Sequence, residues 1–324
     1  MNLDDQLTKY LTDVHSIEEQ AIPQMRAAPK LASDPELERI FRAHETETEE
    51  HERLVRERLE ARDAAPSKLK DVVARATAFP FVLFARSQPD TTGKLVAHAH
   101  SYEALELAAY ELLLGVAERA GDTATADVAR AIAEQERAMR DRLAANFDRA
   151  VDASIREKDL DADALGDHLV KYLTDAHAIE AQSIQLLEHG PKIAGDTELA
   201  RAYEDHLEET RSQQRRVAAQ LDARDASPSR LKDAAMRLGA LNWGGFFQAQ
   251  PDTPAKLAGF AYAFEHLEIA AYEELRVVAE RAGDSDTAAV AGVIAGEERA
   301  AAERIAGLFD RALDVTLEVQ GVGA

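Results

Sequence analysis

The sequence predicts an all-α protein built from two fused four-helix bundles, and three observations carry that prediction. One is an internal duplication. KYLTDVHSIEEQAI from Lys9 returns as KYLTDAHAIEAQSI from Lys171, with ten of fourteen positions identical at an offset of 162 residues. Composition is another: Ala, Leu, Glu and Arg dominate the 324 residues, with only 16 Gly and 10 Pro, a mixture that favours helix. Finally, apolar residues recur at helical spacing, punctuated by capping signals at matching places in each copy.

The duplication holds to the end without a gap. Pro66 matches Pro228, Gln88-Pro89-Asp90 matches Gln250-Pro251-Asp252, ERAGD at Glu118 matches ERAGD at Glu280, and Phe147-Asp148-Arg149-Ala150 matches Phe309-Asp310-Arg311-Ala312. A repeat of 162 residues is domain-sized and too long for a solenoid unit. Residues 154–162 are charged and lack a regular apolar face. They read as a linker between a first domain, 1–153, and a second, 163–324.

Within the first copy, helix one spans about Leu3 to Ala28 and is expected to stop before Pro29. Asp34-Pro35-Glu36 supplies an N-cap, a first-turn proline and an acid suited to the helix dipole, so helix two starts there and runs to about Arg62. Asp90 can cap helix three, which ends near Gly121, a C′ glycine. Asp122 then caps helix four, expected to reach about Ala153. In the second copy, Pro254 falls in the first turn of helix three, where proline is tolerated. Helices one and two, and three and four, are joined by short loops. About thirty residues separate helices two and three, with a short extra helix expected from about Ser67 and an apolar segment, FPFVLF, at Phe79. One long crossover between two hairpins is the ferritin-like arrangement.

Several function classes are excluded or disfavoured. The formal charge of −22 repels phosphate backbones and anionic lipid, so neither nucleic acid nor a membrane surface is an expected partner. With no cysteine there is no disulfide, thiolate zinc site, Cys-ligated iron–sulfur cluster or Cys nucleophile. No apolar run approaches the roughly 20 residues of a membrane span. MNLDDQLTKYL lacks the pattern of a signal peptide, so a soluble cytoplasmic protein is expected. There is no Gly-rich phosphate loop, no GxSxG and no HExxH.

The expected core faces are interrupted by acids. In helix one, Leu7, Leu11, Val14, Ala21, Ile22 and Met25 form the apolar stripe, and Glu18 lies inside it. The stripe of helix two, with Leu37, Phe41, His51, Leu54 and Val55, is broken by His44 and Glu47. In helix three, Glu103 and Glu106 share a face with Ala99, Tyr102, Ala109, Tyr110 and Leu113. In helix four, Ile132, Met139 and Leu143 flank Glu136. The second copy repeats the set as Glu180, His206, Glu209, Glu265, Glu268 and Glu298. Pairs at i, i+3 lie on one helical face. An unpaired buried carboxylate costs several kcal/mol, and several together raise one another's pKa values. Two divalent cations bridged by carboxylates would compensate, and the Glu/His donor set suits iron or manganese. Glu–Arg or Glu–Tyr networks are the competing, purely structural explanation. His15, His177, Tyr110 and Tyr272 read as core or supporting residues, and Trp243–Phe247 as packing for the crossover.

Taken together, LTDxHxIExQ from Leu11, HxxET from His44, the run from Glu103 to Glu111 (ExLEIAAYE in the second copy) and EER at Glu297 resemble the YciE/YciF family of ferritin-like stress proteins. The resemblance covers nearly all of each half, as a tandem version. It implies a metal site related to those of rubrerythrin and other di-iron carboxylate proteins. The implied ligands are Glu18, Glu47, Glu103 or Glu106, and Glu136, with Glu180, Glu209, Glu265 or Glu268, and Glu298. Since the family's members pair, it also implies an intramolecular pseudo-dimer of the two halves; a further homo-oligomer is left open. The family pattern is not followed throughout: helix two carries His-x-x-Glu rather than Glu-x-x-His, and helix four has no histidine. Two functions follow as expectations: a metalloprotein of oxidative stress acting on peroxide or Fe(II), or a non-catalytic bundle that has lost its metal chemistry.

Overall fold

A computed structural model describes residues 2–65, 91–160, 162–228 and 252–322. The short helix expected from Ser67, FPFVLF at Phe79, the Asp90 cap and Trp243–Phe247 lie outside the described residues. Ten helices and no strand are found among the described residues. The chain divides into two compact units, Met1–Asp159 and Leu160–Gln320.

The first unit contains α1 (Leu3–Leu31), α2 (Pro35–Glu60), α3 (Thr91–Arg119), α4 (Thr123–Ala144) and α5 (Phe147–Lys158). The second repeats them as α6 (Ala162–Ile193), α7 (Thr197–Asp222), α8 (Thr253–Arg281), α9 (Ser285–Ala306) and α10 (Phe309–Val319). In each unit the hairpins α1–α2 and α3–α4, or their counterparts, pack most closely, α1 lies against α3 and α2 against α4. Consecutive helices α2 and α3 therefore sit across the bundle from one another. That is the ferritin-like four-helix arrangement, and it is why their connection must be long.

Local chemistry sets the boundaries. The carboxylate of Asp34 accepts from the N–H groups of Glu36 and Leu37 at 3.0 and 3.3 Å, and Asp196 does the same for α7. Gly121, at φ +71°, closes α3 while the N–H of Asp122 reaches back to the carbonyl of Ala117, a Schellman-type end that a side chain at this φ would strain. Asp122 then caps α4 through the N–H of Thr125.

Two boundaries differ from expectation. Helix α1 does not stop before Pro29; it runs to Leu31 with Pro23 and Pro29 inside it. Pro29 is buried in the last turn, so packing offsets the hydrogen bond it cannot donate. Nor does helix four reach Ala153. It ends at Ala144, Asn146 leaves helical geometry, and α5 begins. The redirected helix buries Phe147, Ala150, Val151, Ala153 and Ser154 against α3. There the N–H of Gly93 donates to the Ser154 hydroxyl at 2.9 Å, and the His100 ring meets Phe147 edge-on at 5.2 Å. It continues to Lys158, into the 154–162 segment that reads as linker.

Among the described residues no helix is long and apolar enough to cross a membrane. Among the described residues the exposed large apolar side chains are Val293 and Val319.

Candidate metal centres

Each bundle buries its acids at one level. Glu18 on α1, His44 and His51 on α2, Glu103 and Glu106 on α3 and Glu136 on α4 are each at most 1 % exposed. Helical spacing explains why they meet. Glu18 lies four after Val14 and three before Ala21, and Glu136 four after Ile132 and three before Met139; all four apolar neighbours are buried. The apolar stripes that glue the helices together thus carry the acids inward with them.

In the first bundle, ligand atoms of His44, Glu103, Glu106 and Glu136 all lie within 4.8 Å of one another, and so do those of Glu18, His51 and Glu136. Glu136 belongs to both groups. Its Oε2 is 3.6 Å from His44 Nε2, and its Oε1 is 2.8 Å from His51 Nδ1. His44 Nε2 also stands 2.9 Å from Glu103 Oε2. Tyr110 donates its hydroxyl proton to Glu18 Oε1 at 2.5 Å.

The second bundle gathers His206, Glu265, Glu268 and Glu298 in the same way. His206 Nε2 is 2.8 Å from Glu265 Oε2 and 3.6 Å from Glu298 Oε2, and Tyr272 donates to the buried Glu180.

Outer partners orient both imidazoles. Nδ1–H of His44 donates to Glu47 at 3.0 Å, and that of His206 to Glu209 at 3.1 Å. Nε2 of each ring is thereby turned toward the acids. Glu47 and Glu209 themselves stand outside the groups, with side chains 34 % and 41 % exposed. Of the twelve residues predicted from sequence, the structure brings together Glu103, Glu106, Glu136 and His44, and their four counterparts. Glu18 joins through Glu136, Glu180 is buried under Tyr272, and Glu47 and Glu209 sit behind the histidines. His51 was assigned only to the core stripe, yet it lines the first site. Its position seven after His44, and so on the same face of α2, was the available signal. His15 is engaged elsewhere, 3.1 Å from Glu52.

The electrostatics are those of a site short of positive charge. Burial, opposed by His51, pushes Glu18 up to about 8. It does the same to Glu103, opposed by His44, and to Glu180, opposed by its bond from Tyr272. Glu106 and Glu268 are raised well above the carboxylate range by burial and by the neighbouring acids. Burial also acts on Glu136, but its bond to His51 and the charge of His44 outweigh this and hold it below its ordinary value. Against the burial of its ring, His51 is raised to about 9 by Glu136 and Glu18.

The residues fit a cation. Both oxygens of Glu103 and of Glu136, one each of Glu18 and Glu106, His44 Nε2 and His51 Nδ1 are buried without a well-aligned hydrogen bond, although several lie close together. Such atoms are normally satisfied. The second bundle repeats this at Glu180 Oε2, Glu265 Oε2, Glu268 Oε1, both oxygens of Glu298 and His206 Nε2. Among the described residues no arginine or lysine forms an ion pair with any of these acids. The Glu–Tyr bonds satisfy one oxygen of Glu18 and one of Glu180 only. Four carboxylates per bundle match the charge of two divalent cations, and a mixed imidazole–carboxylate set suits first-row transition metals.

A family model described as Domain of unknown function (DUF892) matches residues 2–156 and again residues 164–317. No solved structure matches the chain.

Proposed function

Because the chain belongs in both halves to the DUF892 family, a ferritin-like family, we propose that its bundles are carboxylate-bound metal centres, holding iron or manganese, that act on peroxide or Fe(II) in an oxidative-stress role like that of YciE/YciF-type proteins. The observation that carries this reading is Glu136, a single buried carboxylate shared by two groups of ligand atoms. It is what a dinuclear carboxylate site needs at its centre.

Bound metal would supply Lewis acidity and one-electron redox capacity. The chain's own residues do the rest. Glu103, Glu106, Glu18 and Glu136 would hold and neutralise the cations, with the inward nitrogens of His44 and His51 as further donors. Tyr110 holds Glu18 in place and keeps a proton on the site's edge. Val14, Ile132, Met139 and Leu113, each at most 1 % exposed, lie along the same helices and help keep bulk water from the acids.

Glu47 and Glu209 are positioning residues that fix the histidine tautomer, and such partners typically matter 10–100-fold in metal affinity. Glu47→Ala with Glu209→Ala is therefore expected to weaken Co(II) or Fe(II) binding by roughly that factor while leaving the helical spectrum unchanged. Competition against a chelating dye measures it, and equal affinity would remove their assigned role.

The test of the function itself is metal content by mass spectrometry, on tag-free protein, before and after anaerobic loading with Fe(II) or Mn(II). Stoichiometric metal retained through desalting, with a melting temperature that drops on chelation, is the expected result. No retained metal, with chelator-independent melting, overturns the proposal in favour of a structural bundle.

A further inference from the structure

We infer that the two repeats are unequal, the first holding two transition-metal cations and the second one, because the outer position of the second has exchanged its imidazole for a Gln213–Glu297–Arg216 set. The inference rests on the metal-centre reading above and goes beyond it by dividing the two sites within one chain.

The inner positions of the two bundles are alike. His44 stands 2.9, 3.6 and 3.0 Å from Glu103, Glu136 and Glu47. His206 stands 2.8, 3.6 and 3.1 Å from Glu265, Glu298 and Glu209. The second bundle adds bonds from Arg304 to Glu209 and from the Ser183 hydroxyl to Glu268, but the spacing of the histidine from its acids is the same in both.

The outer positions differ in kind. In the first bundle, Nε2–H of His51 donates to Gln135 Oε1 at 2.7 Å. That turns Nδ1 inward, 2.8 Å from Glu136 Oε1 and 3.7 Å from Glu18 Oε1, where a cation would displace its proton. An imidazole tied at its outer nitrogen and aimed at two carboxylates is a ligand held ready. In the second bundle Glu180, Glu298 and Tyr272 are kept, but three positions have changed together. Gln213 replaces His51, Glu297 replaces Gln135 and Arg216 replaces Leu54.

The new residues bond to one another. Gln213 Nε2 donates to Glu297 Oε2 at 3.2 Å, and Arg216 donates to the same oxygen. What faces inward is an amide: Gln213 Oε1 is buried and has no hydrogen-bond partner. An amide oxygen is a poor substitute for imidazole toward iron, cobalt or zinc. The Arg216 guanidinium also interacts electrostatically with Glu180, which opposes a second cation at that end. No His-containing ligand group forms around Glu180 among the described residues, whereas Glu18, His51 and Glu136 form one.

The experiment is anaerobic equilibrium dialysis of the full chain against Co(II), counted by mass spectrometry and followed by the visible Co(II) bands. Wild type should hold about three tight Co(II) per chain, His51→Gln about two, and Gln213→His combined with Arg216→Leu and Glu297→Gln about four. Thermal melts of the metal-free variants establish that all are folded, and the two variants move the count in opposite directions. Four equal tight sites in wild type, two, or a count that neither variant changes, overturns the inequality while leaving metal binding intact. No tight Co(II) in any variant removes the metal-centre reading itself.

Discussion

Replacing Glu106 and Glu268 together by glutamine should make the metal-free protein more stable and the metal-dependent stabilisation disappear. Both carboxyls are fully buried, and burial followed by repulsion from the neighbouring acids raises both well above their ordinary range. The charged groups that act most on both are the neighbouring acids, opposed at Glu268 by the Ser183 hydroxyl. Glutamine keeps the shape and removes the ionisable group. The expected gain is on the order of the 1–4 kcal/mol seen when buried ion pairs give way to apolar residues, read here as a higher denaturation midpoint at pH 8 without metal. The same exchange removes one anionic ligand from each centre, so affinity for Fe(II) or Co(II) should fall at least about 100-fold, by analogy with the loss of even an outer partner. A structural role predicts the opposite pair of results: a less stable double variant, and no difference between loaded and metal-free protein at any stage.

Much of this architecture was legible in the sequence because the determinants are local or repeated. Asp34, Asp122 and Gly121 announce helix ends through chemistry confined to a few residues, and they do what their residue types imply. The unequal loop lengths gave the crossover topology, and the apolar stripes placed Glu18, Glu103, Glu106 and Glu136 at one level. Local signals failed where tertiary packing outweighed them. Pro29 stays helical because its ring is buried, and the fourth helix breaks at Asn146 because α5 must turn to bury Phe147 and Val151 on α3. Spacing could not rank the acids by depth either. Glu47 shares a helix with His44 yet stands behind its ring. His51 reads as a stripe residue because its counterpart is Gln213, so agreement between the copies conceals the feature that distinguishes them.

Acidity supplies the second large effect. Glu18, Glu103 and Glu180, each raised to about 8 from 4.5, bind more protons in the native than in the unfolded chain between those values, so native stability falls as pH rises from 4.5 to 8. His51, raised to about 9 from 6.5, and His206, raised to about 11, act with the same sign over their own windows: the stability they contribute is complete below 6.5 and is lost as pH climbs through the folded value. Glu136 is lowered, so its contribution is lost only as pH drops below the ordinary carboxylate range. Between pH 5 and 8 every large shift therefore points one way, and the metal-free protein should lose several kcal/mol of stability per repeat, read as a melting temperature lower by roughly 10 °C or more at pH 8 than at pH 5. Metal reverses the slope. Cations bind only deprotonated carboxylates and neutral imidazoles, so the stabilisation by Fe(II) or Mn(II) should grow over the interval in which the metal-free form weakens. Calorimetric melts at pH 5, 6.5 and 8, with and without metal, should give two lines that diverge toward high pH. Parallel lines would mean that the buried acids find their compensation within the protein, and that the bundles are scaffolds without a metal.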